Sequence, residues 1–250
     1  MIAMSIAGFD PSGGAGILSD IKTFHALGVY GTAVITVLTA QNPRRVSAIQ
    51  PVAIDLIKNQ IDIIMEEYPI EHAKTGMLYN STIVELVAEK IQEHNLKVVV
   101  DPVMIAGCGA DLSDQGYLKS LKKYLLPVAS IVTPNIDEAE KLSGYTIHTL
   151  DDAILAAEKI GEICDVVVTG GHLKGVNVIY NGKIEVIKGE LVDNINTHGT
   201  GCTFSAALTA GLANNYDMIK CIDMAIEFVK SSVMSGDWGT LNQFHKLKFQ

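Results

Sequence analysis

Short apolar runs alternate with amphipathic stretches almost from one end of this chain to the other, and that alternation leaves few folds open. Met1–Ala7, Thr32–Leu38, Ala73–Leu78, Lys97–Val100, Ser130–Thr133 and Asp165–Thr169 have the length and apolar density of strands buried on both faces. Between them, Ile17–Leu27, Ala53–Glu67, Ser81–Glu93, Gln115–Leu125, Ile136–Leu142 and Asp151–Ile163 carry helical spacing, as at Leu56, Ile57, Ile61 and Ile64. Strands separated by helices predict an α/β fold, a mostly parallel sheet covered on both faces. One stretch breaks the rhythm. Val176–Tyr180 and Lys183–Lys188 flank Asn181-Gly182, a pair suited to the two-residue type I′ turn, so a hairpin is expected in the C-terminal half. Two helices follow, Cys202–Ala213 and Met218–Ser235, and no linker or repeat interrupts residues 1–250, which read as one domain.

Composition narrows the partners. Hydrophobic residues make up 48% and charged residues 19%, the balance of a globular chain rather than a disordered one. A net charge of −9 argues against a broad nucleic-acid surface, which needs a basic footprint. It does not argue against a nucleotide, because a phosphate cradle needs local N–H groups. No apolar run approaches the ~20 residues of a membrane span, and Met1–Ile6 lacks the basic start of a secretory signal. Cys108, Cys164, Cys202 and Cys221 are scattered, which fits neither a disulfide framework nor a zinc site. The seven histidines form no metal-ligand spacing. A cytoplasmic protein acting on a small molecule, without nucleic acid or membrane, is the expectation.

The chemistry concentrates after the strands, at the edge where sheets of this kind bind ligands. Thr197-His198-Gly199-Thr200-Gly201-Cys202 leads into a run of small residues that opens a buried helix. Its N–H groups form a site for anionic oxygen, and a thiol at that position is expected to have a lowered pKa. Gly8-Phe9-Asp10-Pro11-Ser12-Gly13-Gly14-Ala15-Gly16 follows the first strand, in the place of a nucleotide loop. It lacks the Gly-Lys-Ser/Thr of a P-loop, and Gly14-x-Gly16 lacks the third glycine of a dinucleotide fingerprint. Its glycines let the backbone approach a ligand or simply make a tight turn. Asp101, ending a strand before Pro102, is a turn cap or an anchor for hydrated Mg²⁺. Asn135 and Glu138, at i and i+3, make either a magnesium and phosphate pair or a capping box. Thr169-Gly170-Gly171-His172 is a phosphate loop or a turn. On spacing alone, Met77 and Met104 are core fillers.

Taken in order, these motifs resemble the ribokinase superfamily, and within it the hydroxymethylpyrimidine and phosphomethylpyrimidine kinases of thiamine biosynthesis. The resemblance is carried by Ala7–Gly16, Asp20-Ile21-Lys22-Thr23-Phe24, Thr39-Ala40-Gln41-Asn42, Lys74-Thr75-Gly76-Met77-Leu78, Asp101-Pro102-Val103-Met104, Thr133-Pro134-Asn135, Gly170-Gly171-His172 and Asn196–Cys202. It implies a three-layer α/β/α sandwich that phosphorylates 4-amino-5-hydroxymethyl-2-methylpyrimidine and then its monophosphate, with ATP as donor, Mg²⁺ as cofactor and a dimeric assembly. It implies a pyrimidine pocket of Gly8, Asp20, Gln41, Met77 and Val103, with Asp20 and Gln41 as its polar contacts. Asp101, Asn135, Thr169 and Gly171 fall on the nucleotide side and Glu138 on the metal. Gly199, Thr200 and Gly201 become the anion hole, and Cys202 stands where sugar kinases of this fold place an aspartate base. The chain departs from the pattern at Thr169 and Gly107, where lysines are usual, and at Gly236-Asp237-Trp238-Gly239-Thr240, which lacks Gly-Pro-Val/Leu. A pyridoxal or pyridoxine kinase of the same fold is the nearest alternative. From another class, a dinucleotide-dependent oxidoreductase is the reading that Gly14-x-Gly16 raises.

Overall fold

The computed structural model describes residues 1–105, 109, 112–171, 173, 175–189 and 194–246; Gly107, Cys108 and His172 lie outside them. Nine strands form one sheet: β1 (Ile2–Phe9), β2 (Tyr30–Asn42), β3 (Arg45–Pro51), β4 (His72–Thr75), β5 (Lys97–Val100), β6 (Ile131–Val132), β7 (Asp165–Val168), β8 (Val176–Tyr180) and β9 (Ile184–Lys188). Their spatial order is β3-β2-β1-β4-β5-β6-β7-β8-β9. The pairs from β2 through β7 are parallel, while β3, β8 and β9 join antiparallel at the two ends.

The period of two along each strand sorts side chains to opposite faces. Met4, Ile6, Val98, Val100, Val132, Val166 and Val168 face one core, built with α2 (Ile54–Glu67), α3 (Ser81–Glu93), α4 (Tyr117–Ser120), α5 (Ile136–Ser143) and α6 (Leu150–Gly161). Ala3, Val99, Ile131 and Val167 face the other, covered by α1 (Gly16–Ala26), α7 (Thr200–Ala213) and α8 (Met218–Met234). The result is the three-layer α/β/α sandwich expected from the motifs. Helix α7 is buried almost all round, and its alanines at 206, 207 and 210 let it lie close to both the sheet and α1.

Four expectations need correction. The antiparallel strand β3 went unread because its alternating, half-exposed Arg-Val-Ser-Ala-Ile-Gln-Pro pattern carries no apolar run. β4 ends at Thr75 rather than Leu78; Gly76 N–H makes a last bond to the Ile6 carbonyl (3.0 Å) as the chain leaves the sheet. The helix expected over Gln115–Leu125 starts at Tyr117 and widens into a π-type turn over Leu121–Leu125, before a 3₁₀ turn at Leu126–Val128. The β8–β9 loop has three residues, not two: Tyr180 pairs with Ile184, and only Gly182, at φ 89°, is left-handed.

Candidate active site

The parallel strands end on one edge, and a cleft of about 1110 Å³ opens there. Two glycine-rich turns meet beside it. In the β1–α1 turn, Asp10 is a buried anchor: its carboxylate accepts from the Ser12 N–H (2.8 Å), the Ala15 N–H (2.9 Å) and the Ser12 hydroxyl (2.8 Å). The ring of His198, from the other turn, lies 2.8 Å away. Burial works against the charge, but the bonds from His198, Ser12 and Ala15 prevail and hold this carboxyl down to about 2.

The second turn ends on Gly199, the N-cap of α7, in left-handed geometry at φ 97°. Its carbonyl accepts from Thr203 N–H at 2.8 Å, closing the first helical turn. Thr200 N–H and its hydroxyl both turn back to the Thr197 carbonyl (3.2 and 2.6 Å). No side chain caps α7, so the N–H groups at Gly201 and Cys202 have no partner within the helix. A Cβ on Gly201 would meet nothing within 4 Å. Unpaired N–H groups at the positive end of a helix dipole are a place where an anion would be favoured.

Beneath it lies a buried charge cluster. Lys74, fully buried on β4, reaches both oxygens of Asp20 at 3.0 and 3.1 Å and Asp101 at 3.7 Å. The Ser5 hydroxyl donates to Asp20 (2.6 Å) and that of Ser205 donates to Asp101 (2.9 Å). The network therefore bolts α1, β4, β5 and α7 together. Burial opposes the charge on Lys74, but Asp20, Cys202 and Asp101 together raise its pKa and keep it an ammonium. Burial pushes Asp101 up. Burial, reinforced by Asp101, lifts Glu138 to about 8. Three carboxyl groups stand around one ammonium, and burial makes Asp101 and Glu138 hold their protons more tightly than usual. Asp101 and Glu138 both line the cleft, and their hard oxygens suit a divalent cation that keeps some of its waters.

Ten of the residues singled out from the sequence line this cleft: Gln41, Asp101, Val103, Asn135, Glu138, Thr169, Gly199, Thr200, Gly201 and Cys202. Four do not. Asp20 is fully buried, with both oxygens taken by Ser5 and Lys74, so it is no wall of the pocket. Met77 sits behind Val103, packed with Val37 and Leu112, and Gly8 lies behind Met77, whose sulfur would be 3.3 Å from a Cβ there. Gly171 is exposed outside the cleft. Asn135 and Glu138 form the capping box, each accepting the other's backbone N–H (2.9 and 3.0 Å), while still facing the cleft. Thr169 donates from its N–H and hydroxyl to the Pro134 carbonyl (2.8 and 3.3 Å), tying neighbouring loops together. Cys202 reverses the expected shift: burial outweighs both the helix end and Lys74 and pushes the thiol up to about 12. Gly14 and Gly16 of the first turn make room for protein: a Cβ on Gly14 would fall 2.4 Å from the His198 ring, and one on Gly16 2.3 Å from the Gly8 carbonyl.

Lys74 has a role here that its motif alone does not assign. Its signal was a lysine inside a strand-like apolar run, where a buried ammonium must find carboxylates.

An uncapped helix N-terminus over the C-terminal edge of a parallel sheet, beside hard carboxyl oxygens, is an arrangement suited to phosphoryl transfer. Comparison with known proteins gives the chain a family. The family model described as phosphomethylpyrimidine kinase matches residues 10–245, and the chain belongs to that family. A hydroxymethylpyrimidine/phosphomethylpyrimidine kinase of Bacillus subtilis (strain 168) is 41% identical over 239 residues, covering 92% of this chain and 88% of the relative. A pyridoxine kinase of the same organism is also 41% identical, over 242 residues, covering 92% of this chain and 89% of the relative. The structure of the pyridoxal kinase from Staphylococcus aureus in complex with AMP-PCP and pyridoxal superposes with a TM-score of 0.90 at 31% identity, covering 98% of this chain and 94% of that one.

Proposed function

We propose that this chain moves the terminal phosphoryl group of ATP onto the hydroxymethyl of 4-amino-5-hydroxymethyl-2-methylpyrimidine and then onto the resulting monophosphate, a step of thiamine biosynthesis. The observation that carries this reading is the open N-terminus of α7, with empty space above Gly201 and Cys202 beside it. Phosphoryl transfer asks mainly for positioning and charge stabilisation. The N–H groups of Gly201 and Cys202 supply fixed dipoles where charge gathers on the moving phosphoryl group. Gln41 and Val103 offer the ring an amide and an apolar wall on the cleft. Asn135 and Thr169 line it where the nucleotide phosphates belong in this reading. Asp101 and Glu138 would hold Mg²⁺, which supplies charge neutralisation along the phosphates when bound. We read the working particle as a homodimer in the cytoplasm, on kinship with the family.

Cys202 has a defined part in the first step. The hydroxymethyl group must lose a proton as its oxygen bonds to phosphorus, whereas the monophosphate is already ionised. With its thiol up at about 12, Cys202 rests as S–H, so only its thiolate form can take that proton, and positive charge bound beside it with the nucleotide would favour that form. Coupled assays with ATP and the pyrimidine, its monophosphate or pyridoxine test the whole reading. Turnover of pyridoxine alone would make this a pyridoxine kinase. Cys202→Ala is expected to slow phosphorylation of the alcohol about 10²-fold and that of the monophosphate less than tenfold. Equal losses would remove Cys202 as a proton acceptor.

A further inference from the structure

The turn between β2 and β3 carries two adjacent arginines that face different ways. Asn42 fixes its backbone: the side-chain oxygen accepts from the N–H groups of Arg44 (2.9 Å) and Arg45 (3.1 Å). Pro43 rests against the 237–240 loop, with its Cβ 3.4 Å from where a side chain on Gly239 would start. From this braced turn Arg44 lines the main cleft, on the same wall as Gln41. Arg45 lines a separate pocket of about 260 Å³ with Pro11 and Ser47.

The other basic side chains described near the cleft are committed or distant. His198 is held by Asp10, and Lys74 is buried under Asp20 and Asp101. Lys141, the remaining cation of the described lining, is on α5, which follows β6. The sheet order puts four strand spacings between β2 and β6, roughly 19 Å. The N-terminus of α7 lies between these ends, since α7 packs over β1, β4 and β5. Among the described residues lining the cleft, Arg44 on one side of this helix end and Lys141, near Glu138, on the other are the cations that the buried network does not hold.

We propose that Arg44 is the specificity residue that admits the phosphorylated acceptor, its guanidinium pairing with the monoester phosphate of the pyrimidine monophosphate. This rests on the kinase reading above. In the second transfer an oxygen of that phosphate bonds to the terminal phosphorus of ATP as the bond to the bridging oxygen breaks and ADP leaves. The dianionic acceptor has no proton to shed. Its two negative charges enter a cleft already lined by Asp101, Asp137, Glu138 and Asp237. A planar guanidinium can hold the two oxygens that do not attack, leaving the third free. The free alcohol has no such group, so Arg44 is indifferent to the first transfer.

The test is steady-state kinetics with each acceptor for the wild type, Arg44→Ala, Arg44→Lys and Arg45→Ala. Arg44→Ala is expected to raise KM for the monophosphate about tenfold, with KM for the alcohol and for ATP within about twofold. Arg44→Lys recovers part of the loss. Arg45→Ala, with the same charge change in the same turn, leaves both acceptors unaffected. Equal effects on both acceptors, no effect, or an Arg45→Ala phenotype matching that of Arg44→Ala would overturn the proposal. A wild type that phosphorylates the alcohol but not the monophosphate also overturns it while leaving the kinase reading intact. A wild type inactive on both pyrimidines overturns the kinase reading itself.

Discussion

The two glycine-rich turns look alike in sequence, each leading into a helix that packs on the same face of the sheet, yet they use glycine for opposite ends. In the first, the absent side chain is filled by protein: a Cβ would meet the Gly8 carbonyl at 2.3 Å from Gly16, and the His198 ring at 2.4 Å from Gly14. In the second the uses divide. Gly199 is left-handed and pressed against the Gly14 carbonyl, 1.7 Å from its would-be Cβ, whereas Gly201 faces open space. A glycine that lets protein in is structural. One that keeps protein out marks where something else goes.

The widest break in this contrast removes what both turns stand on. Lys74→Met leaves Asp20 and Asp101 buried without their cation and is expected to cost about 3–5 kcal/mol of stability. The loss depends on pH. Carboxyls whose folded pKa lies above the unfolded value take up protons on folding, so stability falls as pH rises through that interval. Burial already raises the Asp101 pKa, and removing Lys74 raises it further. Denaturant titrations should therefore show the largest deficit near pH 8 and a smaller one near pH 5; a deficit independent of pH would contradict the charge argument. Next comes Gly201→Val, which fills the open space. Turnover should fall about 10²–10³-fold with the melting temperature nearly unchanged, and normal activity in folded protein would exclude the anion site. The smallest effect is expected from Gly14→Ala, which overpacks the first turn. It should cost about 1–3 kcal/mol, seen as a lower melting temperature, with KM for ATP close to that of the wild type. A selective loss of ATP affinity would mean that the first turn touches the nucleotide after all.

The contrast also explains what the sequence disclosed. The parallel strands were legible because burial on both faces demands continuous apolar runs, and β1, β5 and β7 have them. β3 was not, because an edge strand with one wet face can be built from Arg45, Ser47 and Gln50. At the site, the glycines of both turns announced themselves, but glycine spelling does not say what occupies the empty position. Asp20 looks like a ligand contact in sequence because its partner, Lys74, lies 54 residues away, and it takes both the register of β1 with β4, which pairs Ser5 with Lys74, and the packing of α1 on β1 to unite them. The shift of Cys202 is hidden for a related reason: a helix end is visible in sequence, but the dry surroundings of its thiol and the carboxyls of Asp101 and Asp20 beside it are not.

One consequence concerns how this molecule comes to life. The contact of Gly199 with Gly14, and the bond from His198 to Asp10 across 188 residues, mean that neither turn takes its final shape without the other. Such long-range closure belongs to the slow part of folding, where chain entropy is lost before contacts repay it. The start of α7 is therefore expected to settle late in folding. A chain cut before α7 would lack both the His198 ring and the Gly199 contact that brace the first turn.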